Sequence, residues 1–223
     1  MYVRLFAMRI DVVFDTVCPW CFIGKHRLER ALALRPEVRT EIRWRPFLLN
    51  PEMPPDGLDW QLYLERKFGS AYRIQRIHGA IATAGEAEGI AFDFNAISRI
   101  PSSIASHRLI QWAMGTGKQA ALVEAIFGAY FVRGQDIGDR NVLRRLATAC
   151  GLPGDEADRF LYSDEGSAEV EGENGRVHRL GVGGIPCYIF DGRCAVAGAQ
   201  EPDMLARLID IARGEAELET ASS

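Results

Sequence analysis

Arg9 to Leu34 reads RIDVVFDTVCPWCFIGKHRLERALAL, and the fold turns on how that run divides. Its head, Met8–Phe14, opens with apolar and polar residues in alternation (Ile10, Asp11, Val12) and is rich in β-branched side chains, which suits a strand. After Cys18-Pro19-Trp20-Cys21 the pattern turns helical, with Phe22, Leu28, Ala31 and Leu32 on one broad face. Two thiols therefore stand where a strand ends and a helix starts. Pro19 suits a first helical turn, where its missing N–H leaves no bond unmade. The unpaired N–H groups and the positive end of the helix dipole then face Cys18 and favour its thiolate. A free cysteine titrates near ~8.5, and a CxxC at a helix start can pull that value several units lower. Cys21, one turn on, is within reach of Cys18 and more buried. The division of labour follows: Cys18 attacks, and Cys21 resolves the mixed disulfide.

A CxxC is also half of a zinc site, but the other half needs a second pair or histidines at matching spacing. Cys150, Cys187 and Cys194 form no second CxxC, and His26 and His107 make no ligand pair. The expectation is redox chemistry, with no metal and no tightly bound cofactor. The 223 residues suit one large domain or a small one carrying an insertion, and 48% apolar content is ample for a core. A net charge of −4 leaves no basic footprint for nucleic acid. No apolar run approaches the ~18 residues of a membrane span, so no membrane partner is expected. The opening MYVRLFAMRIDVVFD lacks the apolar region and cleavage site of a secretory signal, so the chain reads as cytoplasmic, where structural disulfides are rare. Five cysteines, an odd number, also argue against full pairing.

Arg39–Phe47 alternates Ile42 and Trp44 with charged neighbours and reads as a second strand, parallel to the first. Leu48–Leu58, rich in proline, is a loop. From Asp59 to about Gly166 helical patterns follow one another: Asp59–Phe68, Ala71–Glu88, Ser103–Met114, Gln119–Arg133, Arg140–Cys150 and Asp155–Tyr162. Ser102 or Ser103 suits a cap for the third and Asp139 for the fifth, while Gly85 and Gly89 weaken the second. Ser167–Leu180 reads as a helix, Cys187–Phe190 as a strand, Asp191-Gly192 as a two-residue hairpin turn and Arg193–Ala197 as the returning strand. Pro202–Arg213 closes as an amphipathic helix. The order is βαβ, a helical block, then αββα: an α/β chain with a thioredoxin-like fold interrupted by an all-helical insertion. Its discontinuous thioredoxin-like domain spans 1–57 and 167–223, and the insertion spans 58–166.

The segments FDTVCPWCFIGKHRLERAL at 14–32, PFLLNPEMP at 46–54 and YLERKFG at 63–69 carry a resemblance, as do SHRLIQWA at 106–113, YFVRGQDIGDRNVL at 130–143 and GVGGIPCYIFDGRCAVAGAQ at 181–200. The chain is similar to the DsbA-like thioredoxin superfamily in its FrnE-like branch, related to kappa-class glutathione transferases and 2-hydroxychromene-2-carboxylate isomerases. The resemblance implies the same interrupted thioredoxin fold. It makes Cys18 the nucleophile, Cys21 the resolving thiol and Pro186 a cis-proline facing them. A cis X–Pro bond is an uncommon state that a fold must hold in place. It would expose the backbone of Ile185 for β-type pairing with an extended substrate, beside Pro19 and a partly exposed Trp20. Without the CxxC, a trans proline opening a strand would be the default for Pro186. Thioredoxin-like enzymes commonly carry a buried carboxylate six residues before the nucleophile, where this chain has Val12. Asp15, three residues before Cys18, is a proton relay or, more in keeping with its type, the cap of a strand-to-helix turn.

The expected function is thiol–disulfide exchange on a disulfide- or thiol-containing protein or small molecule, with glutathione a possible redox partner or co-substrate. A second class is a glutathione-dependent isomerase or transferase of small aromatic metabolites. Relatives of that class hold glutathione near the cis-proline and the start of the last helix, here Ala199-Gln200-Glu201, but typically have serine in place of Cys18. A third is an accessory protein whose dithiol senses oxidation. Cys187 reads as a small buried strand residue rather than a third redox thiol, diagonal to Cys194 across the hairpin. Cys150 reads as packing, His26 as part of a solvated face and His107 as a hydrogen-bonded histidine between domains. Oligomeric state is open, a homodimer included.

Overall fold

The structure is a computed structural model that describes residues 7–221, with side chains through residue 214. The first six residues, where no secretory signal was expected, lie outside it. Strand β1 (Met8–Phe14) leads through a turn into helix α1 (Pro19–Ala33) and on to β2 (Thr40–Pro46). A two-residue strand β3 (Leu58–Asp59) precedes α2 (Trp60–Phe68) and α3 (Ala71–Glu86). It pairs with an equally short β4 (Arg99–Ile100), with Leu58 opposite Ile100. Two residues show no period, so this ladder left no trace in the hydrophobic pattern. Then come α4 (Ile104–Trp112), α5 (Gln119–Phe131), α6 (Arg140–Ala149), α7 (Gly154–Tyr162) and α8 (Ser167–Arg179). Strands β5 (Cys187–Phe190) and β6 (Cys194–Ala197) follow, and α9 (Pro202–Ala221) runs past the expected end at Arg213.

The caps show which local expectations tertiary packing respected. Asp139 does cap α6, its Oδ1 accepting from Asn141 N at 2.8 Å. Ser103 occupies the cap position of α4 but makes no side-chain cap bond. Its carbonyl instead accepts from the Ser106 hydroxyl at 2.8 Å. Gly85 does not break α3; its missing side chain leaves room for the Phe92 ring.

The sheet order is β2-β1-β5-β6, with β1 and β2 parallel and the other pairs antiparallel. Central β1 is covered on both faces, which is why it reads as an apolar run towards its end. Alternation still sorts its side chains: Val12 and Phe14 join the main core, and Val13 joins a small cluster with Phe47, Val177 and Cys187 on the other face. The main core runs without a break from the sheet through α1 into the helical block, where Phe22 stacks on Phe127 with ring centroids 5.0 Å apart. Leu205, Ala206, Ile209 and Ala212 of α9 are buried in that same core.

The β5–β6 connection differs from the expected two-residue turn. Phe190 pairs with Cys194, so the loop holds three residues, Asp191-Gly192-Arg193. Asp191 and Gly192 both take positive φ, 50° and 73°, and Arg193 N donates to Phe190 O at 2.9 Å. Aspartate tolerates that conformation, and here its Oδ1 also accepts from Arg9 N at 2.8 Å, tying the turn to β1. The register places Cys187 opposite Ala197, three positions from Cys194 rather than diagonal to it, because the longer loop shifts the pairing by one residue.

Candidate functional site

Cys18 is the N-cap residue of α1 and Pro19 its first helical residue. A turn closed by Cys18 N donating to Asp15 O, 3.1 Å, swings the chain from β1 into the helix. The Cys18 carbonyl then accepts from Cys21 N at 3.0 Å, which sets the two thiols on one turn. Both cysteines are buried, at 5% and 2% exposure. The Cys21 thiol lies within hydrogen-bond reach of Cys18. Burial first, then that bond, and then the charge of Cys18 push the Cys21 thiol well above its ordinary value. Cys21 is thus held as a thiol, which matches the more buried member of the expected pair.

Trp20, between the cysteines, is 38% exposed and offers apolar surface beside them. The Ile185–Pro186 bond is cis, and Gly198 N donates to Pro186 O at 2.7 Å, fixing the loop ahead of β5. Ile185 is half-buried and packs against the core that contains both cysteines. Gly24, one turn beyond Cys21, permits this approach: a Cβ there would lie 2.7 Å from Pro186 Cγ and closer still to the Tyr188 hydroxyl. Sequence reasoning missed Gly24 and Tyr188. A glycine inside an amphipathic helix was the signal available, since it costs helix stability unless something presses close. The Tyr188 hydroxyl is buried with no hydrogen-bond partner among the described residues. Burial, then the charges of Cys21 and Cys18, push its ionisation well up, so it stays a neutral phenol.

The remaining candidates separate cleanly. Cys187 lies on the far face of the sheet, its thiol pushed up by burial, and packs with Val13 as a strand residue. Cys150 ends α6 and packs against the core. His26 is not on a solvated face. Its Nδ1 is 3.1 Å from Glu88 O and its Nε2 3.2 Å from Glu124 Oε2, so it ties α1 to the helical block. His107 is hydrogen-bonded, with Nε2 3.3 Å from Asp15 Oδ1, and so joins α4 to the turn after β1. Asp15 does hold the turn, Oδ1 accepting from Val17 N at 3.4 Å, and its Oδ2 also accepts from Leu49 N at 2.8 Å. At the start of α9, Arg27 donates to Ala199 O at 2.6 Å and pairs with Glu201 at 2.8 Å, so that helix end is already engaged. Among the described residues no group of three or more His, Cys, Asp or Glu is placed to hold a metal. No described helix is long and apolar enough to cross a membrane.

A family model described as DSBA-like thioredoxin domain matches residues 9–210. The uncharacterized protein YwbO of Bacillus subtilis (strain 168) is 30% identical over 148 residues, 66% of this chain and 68% of its own. A probable DsbA oxidoreductase from Streptomyces coelicolor superposes with a TM-score of 0.84 at 29% identity, covering 93% of this chain and 91% of that one. More distant solved structures share the fold alone. A 2-hydroxychromene-2-carboxylate isomerase gives 0.67 at 16% identity, over 94% of this chain and 98% of its own. The cytosolic disulfide reductase DsbM of Pseudomonas aeruginosa, solved with GSH, gives 0.59 at 20%, over 96% and 99%.

Proposed function

This chain belongs to the DSBA-like thioredoxin domain family, and from that premise we propose that it is a thiol–disulfide oxidoreductase worked by Cys18 and Cys21. The observation that carries the reading is the thiol pair itself: Cys18 at the helix start, Cys21 enclosed behind it, the two within hydrogen-bond reach. Cys18 as thiolate attacks one sulfur of a substrate disulfide; that S–S bond breaks and the other substrate sulfur leaves as thiolate. Cys21 then attacks Cys18, the Cys18–Cys21 bond forms and the second substrate sulfur departs. Two electrons pass to the substrate and the dithiol becomes a disulfide; the reverse sequence oxidises a substrate dithiol. Pro19, Trp20 and Ile185 would form the substrate surface, with Pro186 holding the loop that carries Ile185.

The substrate in this proposal is a protein or small molecule bearing a disulfide or thiols, with glutathione as redox partner, and the working compartment is the cytoplasm. The odd number of cysteines, five, supports that placement. We divide the chain into a thioredoxin-like part, 1–57 and 167–223, and a helical insertion, 58–166; the β3–β4 ladder tying residue 58 to residue 100 supports the first boundary. The test is trapping with a fluorescent disulfide-linked peptide. Cys21→Ser should accumulate a mixed disulfide on Cys18, and Cys18→Ser should accumulate none. Turnover of the peptide by Cys18→Ser at the wild-type rate would sink the assignment.

A further inference from the structure

The helical block holds a groove of about 700 Å³ that thiol exchange leaves unused, between α2, α3 and the stretch from Phe92 to Ser98. A volume of this order suits a small ligand. Its wall is a run of near-parallel rings. His78 stacks on Phe94 with centroids 4.2 Å apart and 16° between planes, and Phe94 on Phe92 at 5.3 Å and 8°. Trp60 lies 6.1 Å from His78 at 4°. Trp60, His78 and Phe92 are only half-buried, so the run presents ring surface to the groove. Burial lowers His78 below its ordinary value, and no described residue bonds its ring nitrogens, so at neutral pH it adds a ring and no charge. Charge along the groove has one sign: Asp59 and Asp93 line it, and no described lysine or arginine does. Each carboxylate commits one oxygen to the main chain, Asp59 Oδ1 accepting from Leu62 N at 2.9 Å and Asp93 Oδ1 from Asn95 N at 3.1 Å. The second oxygen of each bonds no described residue. Arg99, opposite Asp59 in the β3–β4 ladder, sends its guanidinium to Asp56 O, outside the groove.

Gly79, beside His78 in the middle of α3, also lines the groove. Glycine there costs helix stability. Gly24 and Gly85 are pressed on by neighbouring side chains, whereas a Cβ at Gly79 would meet nothing within 4 Å. Packing does not call for this glycine; its missing side chain keeps the groove open. We propose that the groove binds a small organic cation, with a planar aromatic body against Trp60 and Phe92 and its protonated nitrogen met by Asp59 and Asp93. The face of an aromatic ring carries negative charge density that attracts a cation. The two carboxylates stand in for water that the charge gives up on entry. A neutral ligand of the same shape gains the apolar contact alone, and an anion is opposed by both carboxylates.

Calorimetric titration of the purified protein at neutral pH tests this, with benzamidine as the cation and benzamide as its uncharged twin. Benzamidine should bind one site with a dissociation constant on the order of 1 mM or below, as suits so small a probe, and benzamide about tenfold more weakly. Asp59→Asn, in which asparagine still caps α2, should weaken benzamidine about three- to fivefold, and Asp93→Asn likewise. Gly79→Leu projects a side chain into the groove and should abolish binding, with the melting temperature as the check that the variant folds. Should it melt early, the two aspartate variants decide. Benzamide bound as tightly as benzamidine would overturn the proposal. So would an unchanged affinity in a folded Gly79→Leu or in both aspartate variants, or no saturable binding of benzamidine to the wild type. None of these readings depends on disulfide exchange by Cys18 and Cys21, so failure here leaves the oxidoreductase reading standing, and the reverse holds too.

Discussion

Cys18 and Cys21 are three positions apart, and enclosure separates their roles. Burial and the bond to Cys18 keep Cys21 protonated, and the thiolate is the reactive form. Brief treatment of the reduced protein with iodoacetamide at neutral pH should therefore alkylate Cys18 and spare Cys21; equal labelling of the two would contradict the assignment. Cys187 should be spared as well, because burial raises its thiol and the sheet stands between it and the pair. The pair was legible in the sequence, since CxxC after a strand is a local pattern. The partners of Asp15 were not: Leu49 and His107 lie 34 and 92 positions away, and only the folded chain brings them to one carboxylate.

At the scale of elements, α1 is shaped by the approach of the Pro186 loop as much as by its own amphipathic face. Gly24→Ala should destabilise the protein by about 1–3 kcal/mol, because the new methyl meets Pro186 and Tyr188. Gly79→Ala in α3, with nothing within 4 Å of the added Cβ, should gain up to ~1 kcal/mol from helix propensity. Thermal melts of both variants measure the contrast, and a Gly24→Ala protein as stable as wild type would refute the close packing. Element type was readable wherever periodicity ran for several turns. The β5–β6 loop was misread because Asp191-Gly192 is a strong two-residue signal. In the three-residue loop Asp191 also bonds Arg9 across the sheet, a contact that no local pattern carries.

For the whole molecule, α1 is joined to the helical block by a polar clamp as well as by the shared core. Lys25 and His26 both reach Glu124, at 2.7 and 3.2 Å, and Arg27 and Arg30 both hold Glu88. The bond to Glu124, outweighing desolvation, raises His26 above its ordinary 6.5, so its contribution is complete below 6.5 and is lost as pH rises through the folded value. Its two cationic partners, against desolvation, lower Glu124 from 4.5 to about 2, so that contribution is complete above 4.5 and is lost as pH falls toward 2. The clamp should be strongest between about 4.5 and 6.5. Glu124 is 43% exposed, so screening limits the effect to about 1 kcal/mol. Melting temperatures of wild type and Glu124→Gln should differ most inside that window, less above it as His26 loses its proton while Lys25 stays paired with Glu124, and least as pH falls toward 2; a constant difference would dismiss the clamp. The interrupted α/β plan was legible from element order, whereas the clamp and the continuous core depend on helices far apart in sequence. The most direct test of the central claim is an equilibrium titration of the purified protein against glutathione redox buffers, read by tryptophan fluorescence with mass spectrometry of the trapped cysteines. A single transition is expected, in which Cys18 and Cys21 oxidise together to an intramolecular disulfide. A Cys18 that stays reduced, or that carries glutathione without resolution by Cys21, would contradict it.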